Sequence, residues 1–443
     1  MMWRLLFVAM VMADPSSWWE SYGDPTLDQL VKRAVENNLD LRAAAERVAE
    51  ARAAVRESRS TLRPSVNLAA GVQQLRGGYQ EGIIRIPQGE GSLVGKGFIA
   101  PYETGLVSAS VDMRWELSFW GPNPKRVNAS QADLQSQLEL EDYARLIVGA
   151  EVARNYFELR GIEDQLEAAH RNRDNQAQFL ELTRVRARAG LSPELDAERQ
   201  SATLSSLEAS IPLLELQRSL RMNALAVLLA DRDFARQPLA PASGAIKLPG
   251  LQAGIDSELL LRRPDVRAAY AAIQAAAARV NQARSERYPR LLLTGLFGRQ
   301  ATDFSGLSLG AGNFFSIGPQ LLLPIFTGGR IRANIDASSA RLEQARIAYE
   351  TELLAAFQEA EDAVAAYRIQ QERLAKLEEA AVHARTTLDL SQDLYKGGLG
   401  DFLGVLDAEK SVLLIELSIA DTRAAAAVQS VLLFKALAGG WPQ

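Results

Sequence analysis

At 443 residues, 47% hydrophobic but only 7% aromatic, the chain has room for two or three domains. Its abundant alanine favours slender helix-on-helix packing over one large core. A formal charge of −5 without a basic cluster excludes an extended nucleic-acid surface, and the absence of cysteine excludes disulfides, thiol catalysis and Cys-ligated metal.

In chain order, residues 1–13 carry one arginine, a short apolar run (Leu5 to Met12) and then Ala13, the pattern of a signal peptide. No later stretch reaches the ~20 apolar residues of a membrane-spanning helix. Entry into a membrane would therefore require a β-barrel. Beyond residue 14 the chain is written twice. "LRAAAERVAEARAAVRESRSTLRPSVNLAAG" from Leu41 returns as "VRAAYAAIQAAAARVNQARSERYPRLLLTGLFG" from Val266, with Pro64 matching Pro289. "AGLSPELDAERQS" from Ala189 returns as "GGLGDFLGVLDAEKS" from Gly397. Repeat 1 is placed at 14–240 and repeat 2 at 259–443, with the Pro/Gly-rich 241–258 as linker.

Each repeat reads helix, two strands, very long helix, turn, helix. Repeat 1 has expected strands at about 65–75 and 104–117, then helices at about 125–189 and 193–230. From Val107 to Leu117 every second residue is apolar and those between are Ser, Asp, Arg and Glu, the period of a strand between oil and water. An ordinary surface sheet has the same alternation. The strand lengths, and the long Gly-rich segment from Arg76 to Glu103 read as an outward loop, favour a barrel. "GEGSLVGKG" from Gly89 fails the phosphate-loop pattern, since Glu90 stands where the first Gly belongs. Repeat 2 has expected strands at about 290–298 and 313–326 and helices at about 330–396 and 401–437. Leu342, Ala345, Tyr349, Leu353, Ala356, Ala360, Ala363 and Tyr367 form a near-heptad stripe. Roughly 67 residues of helix reach about 100 Å, and taken by itself the stripe favours a plain coiled-coil spacer.

Four strands cannot close a barrel and open edges are not tolerated in lipid, so membrane strands here require self-assembly. His170 and His383 lie mid-helix without metal-spacing partners, and neither catalysis nor a metal or cofactor is expected.

The segments "WWESYGDPTLDQLVKRAVENNLDLRAAAERVAEARA" from Trp18, "LLLRRPDVRAAYAAIQAAAARVNQARSERYPRLLLTGLFG" from Leu259, "IGPQLLLPIFTGGRIRA" from Ile317 and "LFKALAGGW" from Leu433 resemble the TolC-like outer-membrane efflux factors, in particular the nodulation/multidrug-efflux branch. The resemblance implies an α+β membrane protein: a homotrimer whose 12-stranded β-barrel continues into a 12-helix α-barrel, with a small equatorial domain. It implies a passive exit duct in the outer membrane of a Gram-negative bacterium. The partners implied are a periplasmic adaptor and an inner-membrane pump of the resistance-nodulation-division type. Many members of this branch carry a lipidated N-terminal Cys, which this chain lacks. A type I protein-secretion duct and, from another class, a soluble periplasmic coiled-coil scaffold are the alternatives.

Carried onto this sequence, the family's periplasmic gate carboxylate falls on Asp407 and an apolar constriction on Leu403, one turn earlier. Asp401 is expected to cap the last helix or line the pore. Asp196 is the repeat-1 counterpart of Asp407. Gly190, Leu191, Ser192 and Pro193, with Gly397, Gly398, Leu399 and Gly400, form the tips expected to dock the adaptor. Gly397, Gly398 and Gly400 are also expected to lend the backbone freedom for opening.

Overall fold

The computed structural model describes residues 18–77, 80–88, 91–99, 102–117, 119–237, 239, 248, 260–301 and 312–438. The signal-peptide segment 1–13 and nearly all of the 241–258 linker lie outside them. The chain forms two compact units: residues 51–134 with 272–345, and residues 1–50 with 135–271 and 346–443.

The first unit holds a four-stranded antiparallel sheet. Its strands are β1 (Ser65–Gly77), β4 (Tyr102–Leu117), β5 (Arg290–Ala301) and β6 (Asn313–Leu322), in the order β1-β4-β5-β6. Register puts Leu68 opposite Val111, Val111 opposite Phe297, and Phe297 opposite Phe315. Because side chains alternate, this places Val66, Leu68 and Val72, then Val107 to Leu117 by twos, then Leu291, Leu293 and Phe297, then Phe315, Ile317 and Leu321 on one face. Val66, Leu68, Val72, Phe297, Phe315, Ile317 and Leu321 are all exposed. The opposite face presents Asn67, Ser108, Ser110, Asp112 and Arg114, with Asn67 donating to Asp112 at 3.0 Å. Trp115 closes the helix-side end of the sheet by donating to the Leu62 carbonyl at 2.9 Å.

Two strands lie where a loop is expected. β2 (Gln80–Gln88) and β3 (Gly91–Ile99) pair antiparallel as a separate ribbon, so most of the segment from Arg76 to Glu103 is strand rather than loop. Pro87 and the glycines at 82, 91, 95 and 97 lower strand propensity, and backbone pairing overrides them. At the other edge, β6 ends at Leu322 and not near 326; Pro324 lacks the N–H to continue a ladder.

The described elements of the second unit are helices. α1 (Pro25–Asn37) and α2 (Leu39–Ser60) open repeat 1, and α5 (Pro264–Ser285) opens repeat 2. Four longer helices follow the same plan twice. α3 (Pro122–Arg188) and α6 (Arg330–Lys396) have 67 residues each; α4 (Glu194–Leu228) and α7 (Phe402–Ala436) have 35 each. Of these helices, α2, α3, α5 and α6 are each divided between the two units. α6 occupies the stretch without Gly or Pro, and the buried part of its stripe, Ala356, Ala360, Ala363 and Tyr367, packs with Leu433 and Ala436 of α7. Alanine there lets helix backbones approach closely. Gly161 of α3 does the same more severely: a Cβ on it would lie 2.3 Å from that of Ala424.

The main core joins Trp18, Trp19, Tyr22 and α1 to the middle of α3 and the C-terminal parts of α4 and α7. Trp18 stacks on Phe434 at 5.3 Å, and Tyr22 shares a hydrogen bond of 2.6 Å with Ser430. Asp24 caps α1 through Thr26 N at 2.9 Å and accepts from the Tyr156 hydroxyl of α3. The repeat also fixes an anchor twice. Asn38 donates to the Leu228 carbonyl at the end of α4, and its counterpart Arg263 donates to the Ala436 carbonyl at the end of α7. Arg263 is buried and also holds Asp265 through two hydrogen bonds (2.6 and 3.1 Å) and Glu359 at 3.0 Å. The Arg-Arg-Pro-Asp-Val motif is thus a clamp that closes the helix ends of repeat 2, its buried charge matched on every side. Among the described residues no helix is long and apolar enough to cross a membrane.

Candidate channel gate

Both long hairpins turn by the same backbone device. After α3, Leu191 N donates to Arg186 O (2.9 Å) and Gly190 N to Ala187 O (2.9 Å); after α6, Leu399 N donates to Leu394 O (2.9 Å) and Gly398 N to Tyr395 O (3.1 Å). These are paired six-to-one and five-to-two bonds, which require a left-handed residue at the centre. Gly190 (φ 70°) and Gly398 (φ 74°) supply it. Gly397 and Gly400 adopt no left-handed φ; Gly400 instead allows close approach, since a Cβ there would sit 3.0 Å from that of Leu394. Of the three glycines expected to free the bend, only Gly398 is required by backbone conformation.

The restart of each second helix differs. Asp401 is the N-cap of α7, its carboxylate accepting from Gly404 N at 2.8 Å. Pro193 begins α4 with no side-chain cap. Leu191 and Leu399 project from the turns into solvent, Pro193 is exposed, and Ser192 is half-buried with its hydroxyl unpartnered.

Beneath the turns lies a small aromatic core. Phe179 of α3 stacks on Phe402 of α7 at 6.1 Å with nearly parallel rings, Tyr395 of α6 meets both, and Val405 is fully buried among them. The Arg186 guanidinium lies 4.8 Å above the Tyr395 ring, an attraction that ties α3 to α6. Phe402, Val405, Ala408, Glu409 and Val412 form the inward face of α7. Leu403, Asp407 and Leu414 therefore fall on the outward face and are exposed. Leu403 and Asp407 stand one turn apart on that face, an apolar group beside a carboxylate. Asp196, the repeat-1 counterpart, is half-buried in the first turn of α4.

Sequence reasoning singled out Asp407 and missed the polar group behind it. Glu409 is 6% exposed, with Gln200 of α4 and Gln392 of α6 within hydrogen-bonding reach of its carboxyl. Gln200 in turn donates to the Gln176 carbonyl of α3 at 3.4 Å. Burial pushes the Glu409 carboxyl up to about 7 against the pull of the two glutamine donors. The signal was in the spacing 402, 405, 409, 412: an acid in an otherwise apolar stripe. Farther along α7, a groove of about 400 Å³ runs between α3, α6 and α7. Two ion pairs cross it, Arg385 with Glu416 at 2.8 Å and Arg423 with Glu378 at 3.1 Å, as bracing between helices.

The whole chain has well-defined relatives. The profile described as "Outer membrane efflux protein" matches residues 30–231 and 256–439. The pyoverdine export outer membrane protein OpmQ of Pseudomonas aeruginosa is 32% identical, over 99% of this chain and 90% of that protein. Outer membrane protein OprJ of the same organism is 31% identical over 97% and 87%. The cation efflux system protein CusC of Escherichia coli is 28% identical over 97% and 89%. Among solved structures, the outer-membrane channel OprN superposes with a TM-score of 0.85 at 29% identity, covering 98% of this chain and 94% of that one. Sequence and fold agree along the full length: this chain belongs to the outer membrane efflux protein family, and it is an outer-membrane channel.

Proposed function

We propose that three copies of the chain assemble into one channel, the passive exit duct of a tripartite efflux pump. In this reading each copy contributes four strands to a 12-stranded barrel and four helices to a 12-helix α-barrel. The observation that supports it best is the β1-β4-β5-β6 sheet, whose apolar face exposes Leu68, Phe297, Phe315 and Ile317 and whose β1 and β6 edges pair with no further strand among the described residues. Lipid covers the face; only another copy can cover the edges, because unpaired backbone groups cost several kcal/mol each in hydrocarbon. Two copies give about eight strands, whose interior fills with side chains, while three leave a water-filled lumen.

The exposed face of α7 then lines the narrow end. Three Asp407 carboxylates ring the axis and favour cations at the mouth, and three Leu403 side chains form a constriction that excludes water. The turns at 190–193 and 397–400 meet the periplasmic adaptor, with a resistance-nodulation-division pump in the inner membrane behind it. Relatives named for pyoverdine, cations and toluene resemble this chain to similar degrees, which fits a duct whose pump selects the cargo.

Because the chain has no cysteine, pairs introduced on β1 and β6 report the closure directly. Cysteines scanned over Val66 to Val72 and Phe315 to Leu321 should yield dimer and trimer bands without reductant, and none larger. A chain that stays monomeric at every pair would overturn the assembly. Photocrosslinkers at Ser192 or Gly400 should capture the adaptor; no adduct at either position would remove the docking assignment.

A further inference from the structure

We propose that the hairpin tips carry a proton-operated latch: Glu409, enclosed by Gln200 and Gln392, keeps the two hairpins packed while its carboxyl is neutral and loosens them when it ionises. The latch rests on reading these hairpins as the gate. Its own argument is one of hydrogen-bond supply. Glu409 Oε2, Gln200 Oε1 and Gln176 Oε1 are all buried without a donor. A buried acceptor without an N–H partner is costly, and a proton on the glutamate turns one such acceptor into a donor. An ionised Glu409 would instead be a buried charge with no cation to match it.

The surrounding charges do not supply that match. Asp174 on α3, Glu198 and Arg199 on α4, Asp389 and Asp393 on α6, and Asp407 and Lys410 on α7 all lie in solvent, and Arg173 on α3 is paired with Asp174 at 2.5 Å. What reaches Glu409 is neutral: Gln200 from one hairpin and Gln392 from the other. The group therefore sits where α4 of repeat 1 meets α6 and α7 of repeat 2, the contact that must change if one hairpin moves against the other.

The sign follows from linkage. In a loosened, hydrated tip the carboxyl returns toward its ordinary value of 4.5, whereas in the packed tip burial holds it at about 7. The packed tip thus has its full advantage below the lower value and loses it as pH rises through the higher one. The ratio of packed to loosened tips should fall on the order of 100-fold between about pH 4.5 and about pH 8.

Hydrogen exchange of the full-length protein in liposomes, corrected for intrinsic exchange rates, reads this without relying on conduction. In the wild type, peptides covering 194–201 and 402–412 should lose protection between about pH 5 and about pH 8, while the Arg263 region does not. Glu409→Gln, neutral at every pH, should hold protection constant across the range. Wild-type tips equally protected at both pH values would overturn the latch, as would an unchanged pH response in Glu409→Gln. Failure of the gate reading shows elsewhere, as wild-type conductance in Asp407→Ala.

Discussion

The two helical hairpins share their lengths, 67 and 35 residues, and the paired six-to-one and five-to-two bonds of their turns, yet they present different chemistry. In repeat 1 the second helix starts at an uncapped Pro193, Asp196 is half-buried and Glu198 faces solvent. In repeat 2 it starts at a capped Asp401, Asp407 is exposed and Glu409 is sealed inside. Ala197 and Ala408 are buried alike, although they are the fourth and seventh residues of their helices. The turns are equally long, 189–193 and 397–401, but Asp407 stands three residues farther into its helix than Asp196, and this offset leaves Glu198 outward and Glu409 inward. Duplication preserved the backbone and freed the side chains to diverge.

That contrast can be broken most severely at the anchors. Arg263→Ala leaves Asp265 buried without its partner and should cost about 3–5 kcal/mol in thermal unfolding. Asn38→Ala removes only a neutral bond to Leu228 O, plus the cap to Asp40 and Leu41, and should cost about 1–2 kcal/mol. Equal losses would mean that the charged clamp is no stronger than its neutral counterpart. Next in size is helix contact. Gly161→Ala forces α3 from α7 and should destabilise by about 1–3 kcal/mol, whereas Gly149→Ala, with nothing nearer than 3.7 Å, should stay within ~1 kcal/mol of wild type. Smallest are the caps: Asp401→Ala should lose about 1 kcal/mol, and Pro193→Ala loses no cap bond.

Much of this was legible in the sequence because the physical signals were local. The alternation from Val107 to Leu117 and the Gly- and Pro-free run from Arg330 to Lys396 need no tertiary knowledge to be read. The β2–β3 ribbon was not, since Pro87 and four glycines argue against strands and only pairing between the two segments decides the matter. The gate region was half legible. The Asp-Ala-Glu echo directs attention to Asp407, but nothing in that triplet distinguishes the exposed Glu198 from the buried Glu409. Gln200, 209 residues away in sequence, had to be brought beside it by the fold.

In the proposed channel, repeat 2 and not repeat 1 closes the duct. Single-channel recording in planar bilayers tests it most directly, with Asp407→Ala and Leu403→Ala set against Asp196→Ala. Conductance should be higher for the first two, cation preference lower for Asp407→Ala, and both unchanged for Asp196→Ala. Wild-type conductance and ion preference at both repeat-2 positions, or an equal change at Asp196, would contradict it.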